Sequence, residues 1–134
     1  MSASSATILI VDDEPSILDM ASKILEKSGY RVLKAQHSDE ALILLDGFQE
    51  TVHLLLTDVK MDPYMTGCEL AKCVRIIRPE ILVMYISGLS NNLMVQQEVE
   101  DCRASFLAKP FYPQDLIEKV HKTVATFQSP LKAI

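Results

Sequence analysis

Short apolar runs alternate with amphipathic stretches along most of this chain. Thr7-Ile8-Leu9-Ile10-Val11 is an unbroken, largely β-branched run, the pattern of a strand buried on both faces. It stops at Asp12-Asp13-Glu14-Pro15, where proline suits a first helical turn and carboxylates suit the positive end of the helix dipole. Ile17, Ala21, Ile24 and Leu25 then share a helical face, and Ser28-Gly29 supplies a stop. The unit recurs. Residues 30–35 read as a strand, and Ser38 is the expected N-cap of a helix with Ala41, Leu44, Leu45 and Phe48 on one side. Leu54-Leu55-Leu56-Thr57 is the next buried strand and it ends on Asp58. A turn-rich stretch from Met61 to Gly67 leads into a helix carrying Leu70, Ala71, Val74 and Ile77, which Arg78-Pro79 terminates. Residues 81–86 form a fourth strand running into Ser87-Gly88, and a more polar helix over 91–102 has Leu93, Val95 and Val99 as its anchors. Ser105-Phe106-Leu107-Ala108 is a short fifth strand before Lys109-Pro110. The last helix, over 114–127, aligns Leu116, Ile117, Val120, Val124 and Phe127.

Strand–helix alternation with short links predicts an α/β fold, a doubly wound parallel sheet of five strands with helices on both faces, because right-handed crossovers place them there. The expected division is a lead-in over residues 1–6, one domain over 7–127 and a tail over 128–134.

Composition narrows the picture. A chain of 134 residues that is 49% hydrophobic and 23% charged fits one soluble domain with a single core. A net charge of −5 argues against direct nucleic-acid binding, which needs a basic face to neutralise phosphates. No apolar run approaches the ~20 residues that cross a bilayer, and the first residues lack a signal-peptide pattern. Cys68, Cys73 and Cys102 match no zinc or redox spacing and read as thiols of a reducing, cytoplasmic protein. His37, His53 and His121 are scattered and read as surface or structural groups.

The candidate chemistry lies at the strand ends, where open α/β sheets bind ligands. Asp12 and Asp13 follow the first strand, Asp58 ends the third, Ser87 follows the fourth and Lys109 follows the fifth. Clustered carboxylates repel and raise one another's pKa unless a cation neutralises them. A hard divalent ion such as Mg²⁺ does this with oxygen ligands. Metal, lysine and hydroxyl together are what a transferring phosphoryl group requires, and a carboxylate can serve as its nucleophile.

These residues resemble the response-regulator receiver domain of two-component signalling. The likeness, over residues 7 to 127, is carried by Asp12-Asp13-Glu14-Pro15, Thr57-Asp58-Val59-Lys60-Met61 with Pro63 and Gly67, Ser87-Gly88, and Phe106-Leu107-Ala108-Lys109-Pro110-Phe111. The resemblance implies the flavodoxin-like strand order 2-1-3-4-5, which such receivers exemplify, and a (βα)5 chain. It implies Asp58 as phosphoacceptor from a phosphohistidine, Asp13 as a direct Mg²⁺ ligand, Asp12 as one mainly through water, and the Lys60 backbone carbonyl as another. Lys109 would pair with the acceptor or its phosphoryl group, Ser87 would hydrogen-bond the phosphoryl oxygen, and Phe106 would turn inward with it. The Lys109–Pro110 bond would be cis. The implied protein is a signalling receiver rather than an enzyme, assisting its own phosphorylation and dephosphorylation. Its partners would be a sensor histidine kinase or phosphotransfer protein. A downstream target or a second copy would meet the face of the fourth helix, fifth strand and fifth helix.

The chain departs from the pattern after Asp58. Pro63 is five residues beyond it and Gly67 nine, which reads as a one-residue insertion at Asp62; deleting Asp62 should alter metal affinity or loop pose. Lys60 and Leu89 stand where the family tunes phosphoryl lifetime, and their bulk should slow autodephosphorylation relative to a Lys60→Asn, Leu89→Glu variant. Arg103 replaces a common glycine without an evident reason. The chain fits a stand-alone receiver, a relay intermediate, or a piece of a larger regulator or hybrid kinase. Two readings from other function classes compete, one an enzyme and one a binding module. An aspartyl-phosphate hydrolase of the haloacid dehalogenase type would place its nucleophile in Asp-x-Asp after the first strand. A flavodoxin-like FMN binder would want a Ser/Thr/Gly-rich loop where this chain has acids.

Overall fold

A computed structural model describes residues 6–59, 65–88 and 104–127. The expectations for the N-terminal lead-in before Ala6, Lys60, Asp62, Pro63, Leu89, the 91–102 helix, Arg103 and the tail lie outside the described residues. The elements are β1 (Thr7–Val11), α1 (Pro15–Lys27), β2 (Arg31–Ala35), α2 (Ser38–Gly47), β3 (Leu54–Asp58), α3 (Gly67–Ile77), β4 (Leu82–Ser87), β5 (Ser105–Ala108) and the last helix, here α4 (Pro113–Val124). The strands form one parallel sheet in the order β2-β1-β3-β4-β5, as expected.

Strand composition follows position in that order. β1 and β3 are interior and buried at every residue, whereas the edge strands β2 and β5 are largely half-buried. Pleating sends alternate side chains to opposite faces. Leu9, Val11, Leu55, Val83 and Tyr85 meet Ala41 and Leu45 of α2 and Leu70, Ala71 and Val74 of α3. Ile8, Ile10, Leu54, Leu56, Met84 and Ile86 meet Leu18, Ala21 and Leu25 of α1 and Leu116 and Val120 of α4. Each fully buried leucine or isoleucine contributes about 1.5–3 kcal/mol relative to exposure, so the two apolar layers fix which way each strand faces. A one-residue slip would exchange the layers.

Several element details differ from the periodicity. The buried stripe of α1 is Leu18, Ala21, Ser22 and Leu25, at i, i+3, i+4 and i+7, and Ile17 is only half-buried. Ser22 tolerates burial because its hydroxyl donates to the Leu18 carbonyl at 2.7 Å. Ser38 is the first residue of α2, not its N-cap. That place belongs to His37, in extended backbone, and the Glu40 carboxylate accepts from the N–H groups of Gln36 and His37 at 2.8 and 3.2 Å. Ile77, the last residue of α3, is 47% exposed. Its neighbour Arg78 reaches the end of α2, donating to the carbonyls of Leu45, Phe48 and Glu50. A guanidinium thus satisfies carbonyls that a helix C-terminus leaves unpaired.

Two of the histidines link elements of the fold. Tyr30 Oη is 2.9 Å from His121 Nδ1, tying the start of β2 to α4. His53 prolongs the ladders of β3, its N–H donating to Thr7 O and its carbonyl accepting from Leu82 N. Its ring nitrogen Nδ1 accepts the Thr7 N–H at 3.0 Å. Among the described residues no helix is long and apolar enough to cross a membrane.

Candidate functional site at the carboxyl ends of the strands

Because the strands are parallel, their C-terminal ends share one edge of the sheet, and the polar residues that interrupt the apolar runs meet there. Asp12 prolongs β1, its N–H donating to Ala35 O of β2 at 3.1 Å. Its Oδ1 accepts the Glu14 N–H at 2.9 Å, an Asx-type turn that redirects the chain into α1. Asp12 is only 3% exposed. Asp13 is exposed.

Asp58 is 8% exposed and its backbone is fixed from two sides. It lies opposite Ile86 in the β3–β4 register, and the next residue, Val59, donates to Ile86 O. On the other side the start of α3 approaches closely, with Gly67 N–H donating to Val59 O at 2.8 Å. A Cβ at Gly67 would overlap the Asp58 carbonyl oxygen and crowd Val59 Cα, so only glycine permits this contact. Thr66 closes the N-terminus of α3, its Oγ1 accepting the Glu69 N–H while Glu69 accepts the Thr66 N–H.

Lys109 completes the site from the far side of the sheet. It follows β5, its N–H donates to Ser87 O at 2.8 Å, and its bond to Pro110 is cis. The ammonium nitrogen lies 3.1 Å from Asp12 Oδ2, 3.1 Å from Asp58 Oδ2 and 3.6 Å from Glu14 Oε1. The lysine side chain is 15% exposed and those of Asp12 and Asp58 are 4% and 11% exposed, so these charges interact in a partly desolvated medium where Coulomb terms are strong. Burial works against the ammonium, but hydrogen bonding and attraction, first from Asp58 and then from Asp12, outweigh it and raise the Lys109 pKa above its ordinary value.

Ser87 is buried at the end of β4. Phe106 is half-buried, lies opposite Tyr85 in the β4–β5 register, and packs on the layer shared with α2 and α3. Of the groups singled out from sequence, Asp12, Asp58 and Lys109 are thus in direct contact, with Ser87 adjoining through the Lys109 backbone. Asp13 stands outside this contact, and Lys60 lies outside the described residues.

Glu14 is the member that sequence reasoning missed. One carboxylate oxygen each from Asp12, Glu14 and Asp58 lies within 4.8 Å of the others. The signal was the unbroken run Asp12-Asp13-Glu14, but the third acid was explained by the helix dipole alone. Three carboxylates facing one ammonium leave an excess of negative charge at this oxygen-rich edge. That donor set fits a hard divalent cation such as Mg²⁺.

The response regulator receiver domain matches residues 8–121 of this chain. The chain is 35% identical over 125 residues to the hydrogenase transcriptional regulatory protein HoxA of Cupriavidus necator, covering 92% of this chain but only 25% of that protein. It is 33% identical to the response regulator receiver protein CpdR of Brucella abortus, over 86% of this chain and 93% of that one. Similarity to sporulation initiation phosphotransferase F of Bacillus subtilis is 30%, over 86% and 90% of the two chains. The crystal structure of a CheY-like receiver domain protein from Methanospirillum hungatei superposes with a TM-score of 0.81 at 33% identity, over 90% of this chain and 94% of that one. This sheet order, this strand-end edge and this match over most of the sequence place the chain in the response regulator receiver domain family.

Proposed function

We propose that this chain is the phosphoacceptor receiver of a His-to-Asp phosphorelay, with phosphorylation of Asp58 switching the surface that residues 7–127 present to partners. The observation that carries the reading is the Lys109 ammonium held 3.1 Å from both Asp12 and Asp58. A carboxylate at a strand end with a cation beside it is poised to take up a phosphoryl group, whose added negative charge the lysine then meets. In the step, an Asp58 Oδ attacks phosphorus, the P–N bond of a phosphohistidine breaks, and the imidazole nitrogen keeps the electron pair. Catalysis of such a transfer is mainly positioning and charge stabilisation.

Asp12, Asp13, Asp58 and the Lys60 backbone carbonyl would hold Mg²⁺, with Glu14 a further carboxylate at its rim. The ion supplies charge neutralisation to the acids and the phosphoryl oxygens. Lys109 exchanges its contact with the free carboxylate for one with the phosphoryl group. Ser87 then offers a hydroxyl to a phosphoryl oxygen, and Phe106 moves inward, changing the edge of the sheet beside β5. The population of that state is the signal. The receiver is a signalling module, and its self-assisted phosphorylation and dephosphorylation do not make it an enzyme of independent substrates. A sensor histidine kinase or phosphotransfer protein is the expected donor, and the face of the fourth helix expected from sequence, β5 and the last helix is the expected meeting place for a target or a second copy.

Incubation with acetyl phosphate and Mg²⁺ should add about 80 Da, one HPO₃ on a carboxylate, by intact-mass spectrometry. The gain should disappear in Asp58→Asn and in excess chelator. No adduct on the parent chain, or an equal one on Asp58→Asn, rules out Asp58 as acceptor.

A further inference from the structure

We propose a second anion site on the opposite edge of the sheet, a pocket for a small organic phosphate. A cavity of about 320 Å³ lies at the N-terminal ends of β4 and β5. Three cations from two helices border it: Arg75 of α3, and Lys119 and Lys122 of α4. Arg75 and Lys119 are half-buried. Among the described residues none of the three forms an ion pair. That is unexpected in a chain of net charge −5. Like charges converging on one partly desolvated cavity repel, and an anion placed between them removes that cost.

The rest of the lining selects the kind of anion. Leu82, half-buried, supplies a short aliphatic wall, while Ile81 and Val83, which also border the cavity, are buried in the core, so the cavity offers apolar surface as well as cations. The hydroxyls are committed elsewhere. Thr123 donates to Lys119 O at 2.8 Å, Thr126 donates to Thr123 O at 2.7 Å, and Ser105 Oγ lies 3.2 Å from Thr123 Oγ1. With the Thr123 proton already directed to Lys119 O, Ser105 is left as donor in that last pair. These bonds stiffen the floor of the pocket and leave recognition of negative charge to the arginine and the lysines. A phosphate monoester carrying a flat or aliphatic body matches that division, its phosphoryl group on the cations and its body on the wall. The volume suits a mononucleotide or something smaller. The cavity is separate from the acidic edge: the six residues of β4 span about 17 Å from Leu82 to Ser87 at the usual rise per residue.

Adenosine 5′-monophosphate is the probe, titrated into the ¹⁵N-labelled protein in chelator, with adenosine and inorganic phosphate in parallel. Saturable shifts at Arg75, Leu82, Ser105 and residues 119–126, without shifts at Asp12, Asp58 and Ser87, are the expected result. Lys119→Ala with Lys122→Ala should weaken the apparent affinity about tenfold or more, as for the loss of two charge-assisted donors. The double variant is accepted as folded if its thermal melt and its labelling by acetyl phosphate match the parent, and Lys122→Glu alone provides a milder check in the same direction. No saturable shift up to about 10 mM, beyond the range of millimolar affinity, overturns the site. So does equal binding by the double variant. Adenosine binding as well as its monophosphate overturns the phosphate assignment, and inorganic phosphate binding as well as the nucleotide overturns the role of the aliphatic wall.

Discussion

Lys109 is the residue whose removal says most about the strand-end chemistry. It is the cation closest to two buried carboxylates, and deleting one partner of a buried pair leaves the other charges uncompensated. Lys109→Ala should therefore lose about 1–3 kcal/mol in chelator, measured by urea unfolding, and regain part of it in millimolar Mg²⁺. If Mg²⁺ raises the stability of parent and variant by the same amount, lysine and metal do not share the same carboxylates. The raised Lys109 pKa also sets the sign of its pH effect. Its contribution is complete below the ordinary lysine value and fades only as pH rises through the higher folded one, so no loss from this group is expected between neutrality and pH 9. At this scale the sequence was informative wherever a polar residue interrupted an apolar run, which is how Asp12, Asp58, Ser87 and Lys109 stood out. Glu14 did not, because a helix-start acid explains itself without a ligand.

Among the elements, α3 is tightly constrained at its start. Its first residue lies against the Asp58 carbonyl, with no room for a side chain. Gly67→Ala should cost about 1–3 kcal/mol, the range for forced overpacking, and should also reduce acetyl-phosphate labelling by moving the acceptor's backbone. Gly47 is the internal comparison, since a Cβ there meets nothing within 4 Å. Gly47→Ala should be neutral or add up to about 1 kcal/mol through helix propensity, with labelling unchanged. At the other end of α3, Arg78→Ala should cost about 1–3 kcal/mol by stripping donors from three carbonyls; a urea midpoint unaltered by the change would show that water replaces the guanidinium without loss. Such close approaches between elements are the part of the fold that periodicity does not carry. The heptad-like spacing of Leu70, Ala71 and Val74 predicts a buried face and correctly places α3 on the sheet. It extends too far at Ile77, which is the last residue of the helix and is 47% exposed.

For the molecule as a whole, the two apolar layers were readable because interior parallel strands are apolar along most of their length, as β1, β3 and β4 are up to the polar residues near their ends, whereas the sheet order came with the family resemblance. The lower edge of the sheet was less legible, since its links run through side chains that look incidental in sequence. His53 is one. Burial lowers its pKa below 6.5, and its acceptance of the Thr7 N–H at Nδ1 needs the unprotonated nitrogen. The unfolded chain therefore binds the extra proton first, so this stabilisation is full above about pH 6.5 and is lost as pH falls through the lower folded value. Urea unfolding between pH 7.5 and 5.5 should show that decline, and His53→Gln should flatten it; an identical slope in the variant would assign it to other groups.

The reach of Lys109 has a further consequence in time. Its partners Asp58 and Asp12 precede it by 51 and 97 residues. During synthesis at about 5–20 residues per second, the acids wait several seconds before their cation leaves the ribosome. A nascent chain truncated before Lys109 has every carboxylate of the trio and none of that compensation, so the strand order and the electrostatics delay docking of β1 and β3 together. Ribosome-arrested chains ending just short of Lys109 should remain protease-sensitive through β3, and chains that have also exposed α4 should become resistant.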